Sequence, residues 1–137
     1  MRDCKAQISI EYLIVVGFVT FVIIGVLGIA IIYSGSVKDK IKFNQLTSFA
    51  NKLISSSESV FYRGEPSKAT ISAYLPEGVE SIEIYPNDIL IKIRTSSGKN
   101  RISFSSDVSL SGEITSSPGL KKIIITAQEN NVLISQE

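Results

Sequence analysis

The chain contains no histidine. That removes the commonest general base and the commonest metal ligand. A single cysteine, Cys4, leaves no intramolecular disulfide to form. It precedes the apolar segment described below, so it does not read as a lipid attachment point. The formal charge is +1 over 137 residues, and again +1 over residues 34–137, where 12 Lys/Arg face 11 Asp/Glu. So balanced a composition carries no electrostatic footprint for nucleic acid. No Gly-rich phosphate loop is present, no nucleophile can be paired with a histidine, and no asparagine starts an Asn-x-Ser/Thr sequon. The length allows one small domain beside a helix, not two.

What is present is a long uncharged run. From Tyr12 to Tyr33 there is no charged side chain, and Thr20 is the only clearly polar residue before the closing tyrosine. As a helix at 1.5 Å per residue this run is about 33 Å long, enough to cross a hydrocarbon core of roughly 30 Å. It is too long for the apolar part of a cleaved secretory signal, and no Ala-x-Ala site follows it. A plain anchor explains length and hydrophobicity but not the carboxylate at its mouth, Glu11. At the centre of a bilayer an ionised carboxylate costs on the order of 2.5–3.5 kcal/mol on insertion scales. Placement at the end of the run lowers that cost, and a cationic partner lowers it further.

The order of residues around Glu11 is specific. Lys5-Ala6-Gln7-Ile8-Ser9-Ile10-Glu11-Tyr12-Leu13 resembles the class III signal peptide of archaeal type IV pilin-like proteins, a Gln-x-Ser-x-Glu pattern placed directly against a membrane-length run. The resemblance covers about the first 13 residues. It implies cleavage by a prepilin peptidase between Ala6 and Gln7, with Lys5 and Ala6 on the leader side and Gln7, Ser9, Glu11 and Tyr12 on the mature side. Glu11 then becomes the fifth mature residue, and Cys4 leaves with the leader. The new α-amino group of Gln7, with a reference pKa of about 7.7–8.0, is cationic at neutral pH. The resemblance implies that it pairs with Glu11 of a neighbouring subunit when helices stack. Arg2 and Lys5 before the run and Lys38, Lys40 and Lys42 after it leave the positive-inside count undecided. The resemblance implies a cytoplasmic leader and an external C-terminal domain, and as partners the peptidase, an assembly ATPase with its membrane platform, and other pilin subunits.

Gly17, Gly25, Gly28 and Gly35 fall within roughly an 80° arc of one helical face at 100° per residue. Small residues on one face allow close helix approach in lipid, although glycine is also simply frequent in membrane helices. Past the run, Ile41, Leu46, Phe49, Ala50, Leu53, Ile54, Ser57, Val60 and Phe61 recur at three- and four-residue steps, predicting an amphipathic continuation. Ser34-Gly35-Ser36 is a place for a kink, and Arg63-Gly64 followed by Pro66 is a stop.

From Ser67 the period changes to two. Strands are expected at Ile71–Leu75, Val79–Tyr85, Ile89–Thr95 and Arg101–Phe104, with a hairpin loop over Ser96–Asn100. A weaker strand follows over Val108–Ile114, interrupted by Gly112, and a closing hairpin of Lys121–Gln128 with Val132–Gln136. Ile123, Ile124 and Ile125 in succession suggest a strand covered on both faces. Glu80, Glu83 and Asp88 read as solvated acids on strands and turns. Tyr62, Tyr74 and Tyr85 could line an adhesive surface but read more simply as half-buried packing residues.

The expected architecture is α+β: a leader over residues 1–6, an apolar helix over 7–33, an amphipathic continuation over 34–63, and a mostly antiparallel β-rich head over 64–137. The implied function is a filament subunit that starts in the membrane and ends on the cell surface, with no catalytic, cofactor-binding or metal-binding residues. A non-polymerising single-pass protein with an external binding head is the alternative. An externally tethered enzyme is a third class, disfavoured by the missing histidine and by the absence of cysteine beyond the leader, with a carboxylate mechanism left open.

Overall fold

The computed structural model describes the backbone from Asp3 onward and side chains from Ile10 to Glu137. It holds one long helix followed by seven strands: α1 (Asp3–Arg63), β1 (Lys68–Leu75), β2 (Val79–Ile84), β3 (Asp88–Thr95), β4 (Gly98–Ser105), β5 (Leu110–Gly112), β6 (Gly119–Ala127) and β7 (Val132–Gln136). The change of period at Ser67 predicts this α+β order, and the arrangement is the pilin-like one that the resemblance implies. The chain separates into two units, residues 1–38 and 39–137. Helix assignment continues without a break through Ser34-Gly35-Ser36, so the helix does not end there. Two serines and a glycine weaken a helix by only about 1 kcal/mol each at most, and α1 has ample residues on either side to propagate through them.

In residues 39–137 the helix supplies one wall of the core. Leu46, Phe49, Ala50, Leu53, Ile54, Ser57 and Val60 are buried, a stripe at helical spacing. The Ser57 hydroxyl, inside that stripe, donates to Leu53 O at 2.8 Å and so enters the core without an unmet hydrogen bond. Ile41, placed on the same stripe by its spacing, is 51% exposed; the buried stripe starts one turn later, at Leu46. After Arg63 the helix stops at Gly64, whose φ of 76° is left-handed and whose N–H reaches back to Phe61 O at 2.9 Å.

The strands form two sheets, β1-β6-β7-β5 and β2-β3-β4. All pairings are antiparallel except β5 with β7. Inward residues Ala73, Leu75, Ile89, Ile91, Ile93, Ile123, Ile125, Val132 and Ile134 join the helical stripe in one core cluster. Alternation therefore decides Ile123–Ile125: the outer two are fully buried and Ile124 is half-buried, so the strand is not covered on both faces. Nor is Ser96–Asn100 a five-residue loop. Pairing of β3 and β4 runs down to Thr95↔Gly98, leaving only Ser96 and Ser97 as the turn. Ser96 and Ser97 keep negative φ, so the turn is not one of the primed types; the positive φ (119°) falls on Gly98, directly after it.

The segment expected at Val108–Ile114 shrinks to Leu110–Gly112 and runs parallel to β7. Gly112, which weakens the strand pattern, is what permits the pairing. Its φ is 126°, and a Cβ there would lie 2.8 Å from the carbonyl carbon and 3.0 Å from the nitrogen of Ile134, with the carbonyl oxygen nearer still. Only glycine fits.

Candidate assembly helix and head surface

Every described residue from Ile10 to Ser34 is exposed. Eighteen large apolar or aromatic side chains lie between Ile10 and Tyr33, among them Phe21 at 75% and Ile32 at 76% exposure. Leaving each in water forgoes about 1.5 kcal/mol or more, tens of kcal/mol in all, against a domain stability of about 5–15 kcal/mol. So large an apolar surface requires cover from outside the segment. The helix is long and apolar enough to cross a membrane. Its one internal hydroxyl is already satisfied, since Thr20 Oγ1 donates to Val16 O at 2.8 Å. No polar group of the span therefore needs water or a partner side chain.

Glu11 and Tyr12 are exposed at the N-terminal mouth of this run. Among the described residues Glu11 has no ion-pair partner. Lys5, Ala6, Gln7 and Ser9 have helical backbone, and their side chains lie outside the described residues. At Gly17, Gly25, Gly28 and Gly35 a Cβ would meet nothing within 4 Å. Nothing in the isolated chain therefore demands glycine at these positions, and each has room for a neighbouring surface.

The head carries a second set of polar contacts, all on solvent-facing sides. Glu83 accepts from Lys92 Nζ at 2.5 Å and from the Tyr85 hydroxyl at 3.0 Å. The lysine contact, then the tyrosine, hold its carboxyl below the ordinary value, and the same carboxylate raises the Tyr85 phenol. Glu80 bridges Lys99 at 3.0 Å and Arg94 at 2.7 Å. Lys99 and then Arg94 lower its pKa. The two acids singled out in the sequence are thus paired separately on the β2-β3-β4 surface and do not form a catalytic dyad. Tyr74 and Tyr85 are each 49% exposed, half-buried at strand ends as the sequence suggests, whereas Tyr62 at the helix end is 74% exposed. They are scattered over different elements.

Two contacts escape sequence periodicity. Asp39 on α1 accepts both the N–H and the hydroxyl of Ser96 in the β3–β4 turn, and the hydroxyl contact lowers the Asp39 pKa. Residues 57 positions apart leave no local trace of such a pairing. Lys121 is buried, its Nζ donating to Thr115 Oγ1 at 2.8 Å and Ser117 Oγ at 2.5 Å. Strand parity carries a signal for its burial, because Lys121 shares a face with Ile123 and Ile125 and so points inward; its two hydroxyl partners leave none.

Among the described residues no group of three or more His, Cys, Asp or Glu could hold a metal ion. A groove of about 570 Å³ lies between Asn44, Ser48 and Lys52 of α1 and Ser72, Tyr74 and Leu120 of the β1–β6 side. Lys52 Nζ crosses it to Ser72 O at 2.7 Å. It brings together no acid, base and nucleophile. No protein-family model matches the chain, and no curated protein and no solved structure match it. The functional reading therefore rests on the residues themselves.

Proposed function

We propose that the chain is the structural subunit of an archaeal type IV pilus-like surface filament, made as a membrane-inserted precursor and assembled through its N-terminal helix. The observation that carries this reading is an uncovered, membrane-length apolar helix with one carboxylate, Glu11, at its mouth, directly behind Gln7-x-Ser9. Bilayer lipid covers the helix before assembly and neighbouring helices cover it afterwards, so transfer between the two costs little. Removal of residues 1–6 by a prepilin peptidase exposes the Gln7 amine, which neutralises Glu11 of an adjacent copy and fixes the axial register. Gly17, Gly25, Gly28 and Gly35 give that copy a smooth face to approach. An assembly ATPase and its platform supply the work of extraction. The head, with its separated ion pairs, faces outward on the cell surface and carries no assigned catalysis.

N-terminal sequencing of the native product, together with electron microscopy of material sheared from cells, tests the proposal. A new terminus at Gln7 and filaments containing this chain support it, and Glu11→Gln should then reduce filament yield while leaving membrane insertion intact. An intact Met1 with no filaments overturns it in favour of the non-polymerising single-pass protein with an external binding head.

A further inference from the structure

At one end of the head, apolar side chains stand uncovered beside cations. Ile41 and Phe43 are half exposed, although the buried stripe of α1 starts only a turn further on, at Leu46. Lys40 and Phe43 line one shallow cleft with the β3–β4 turn, and Phe43 lines a second with Arg101. Lys42 reaches the β1–β2 turn, where a Cβ on Gly78 would lie 3.8 Å from its Nζ. Lys40, Lys42 and Arg101 make no ion pair among the described residues. The acids at this end are already engaged, except Glu77 beside Gly78. Asp39 accepts from Ser96 and feels the Lys42 charge, and Glu80 is bridged by Lys99 and Arg94.

This is also the end at which the chain enters the head from the apolar run. Asp39 follows Tyr33, the close of that run, by six residues. Six residues of chain reach no further than about 20 Å in any conformation. The entry to the head is therefore held close to the end of a segment long and apolar enough to cross a membrane.

We infer that, while the chain is in the membrane, this end of the head docks on anionic lipid. Headgroup phosphates meet Lys40, Lys42 and Arg101, and Ile41 and Phe43 enter the boundary with the acyl chains. Surfaces that mix apolar side chains with Lys and Arg bind anionic bilayers through buried apolar area plus charge, the cationic stems lying along the boundary. The two chemistries together select the occupant. Free phosphate would satisfy the cations and leave Ile41 and Phe43 in water, whereas a purely apolar partner would leave the cations unmet. A phosphate mounted on an acyl chain serves both, and the short tether keeps it at high effective concentration. The inference rests on the membrane-inserted precursor of the proposed function, not on polymerisation. It gives that precursor a second hold on the bilayer, which assembly has to release.

The experiment uses the full chain with Cys4→Ser as background, in phosphatidylcholine vesicles with and without phosphatidylglycerol. A fluorophore on Asn44→Cys reports contact with the bilayer surface through quenching by a nitroxide-headgroup lipid. The same label on Glu65→Cys, past the other end of α1, is the reference. Quenching at Asn44 should require phosphatidylglycerol and should fall at least about threefold between about 50 mM and 500 mM salt. Lys40→Gln, Lys42→Gln and Arg101→Gln should each lower the ratio of docked to free head about fivefold, and the triple variant should abolish docking. Ile41→Ser with Phe43→Ser should weaken it in the same anionic vesicles, and circular dichroism establishes that each variant keeps its helix and strands. Equal quenching in both kinds of vesicle, or quenching that survives the triple variant, overturns the inference, because the tether alone would then explain the contact. So does an Asn44 label no more quenched than the Glu65 reference. So does contact that vanishes on diluting the chain among vesicles, since a second copy would then be the occupant. Release of the chain by carbonate would remove the inference and the membrane-inserted precursor together. Docking without filaments in cells would leave the inference standing and remove the filament reading; filaments with a Gln7 terminus but no docking would do the reverse.

Discussion

Replacing Gly112 by alanine tests whether the short parallel strand β5 is held by backbone contact. Two costs are separable. The first is conformational: φ is 126° at Gly112, a region closed to side chains, at about 1–3 kcal/mol for a forced residue. The second is collision, because the new Cβ would sit 2.8 Å from Ile134 C and nearer still to its oxygen. A carbon cannot occupy that space, so β5 must separate from β7 and expose part of Leu110, which is otherwise 3% accessible. Losing the β5 backbone bonds and part of one buried leucine adds about 2–3 kcal/mol. Gly119 provides the control, since its φ is 121° and a Cβ there meets nothing within 4 Å. Gly119→Ala should cost only the conformational part, about 1–3 kcal/mol, and Gly112→Ala about 3–6 kcal/mol. Urea unfolding of the intact chain in mild detergent, followed by near-ultraviolet circular dichroism of its tyrosines, reads both. If the two variants unfold within about 0.5 kcal/mol of each other, the close approach does not hold β5 in place.

Three further outcomes follow from the same structure. Leu53→Ala, at a fully buried position on the helical stripe, should lower stability by about 2–5 kcal/mol in the same unfolding assay, whereas Ile41→Ala should change it little because Ile41 is half exposed. Asp39, Glu80 and Glu83 all titrate below their ordinary values of 3.8, 4.5 and 4.5, so the folded head binds protons later than the unfolded chain as pH falls. Their contribution is complete above those ordinary values and is lost as pH drops through the lower folded ones; the melting temperature should hold near neutrality and fall below about pH 4. Gly25→Leu and Gly28→Leu should leave helicity unchanged, since nothing lies within 4 Å of either site, but should reduce any self-association of the helix, read by cross-linking in bilayers.

Much of this protein is written in periodicity. A charge-free run of membrane length, a helical stripe after it and an alternating pattern from Ser67 each depend on neighbours only a few residues away, and local pattern is what a sequence states directly. The helix stop at Arg63-Gly64, the strand interiors and the closing hairpin were legible for that reason, as was the Gln7-x-Ser9-x-Glu11 motif on which the functional proposal leans. Other features needed the chain folded back on itself. Gly112 looks like an interruption until Ile134, far along the chain, comes against it; Glu80 and Glu83 look like a pair of acids until Lys99, Arg94 and Lys92 arrive from other strands. The contact of Asp39 with Ser96, the start of the buried stripe at Leu46 and the gathering of Lys40, Lys42 and Arg101 at one end are likewise properties of the packed head. Sequence sets which face of each element avoids water, because that depends on side-chain type and spacing; only tertiary structure sets what each face meets, because that depends on residues brought together from distant parts of the chain.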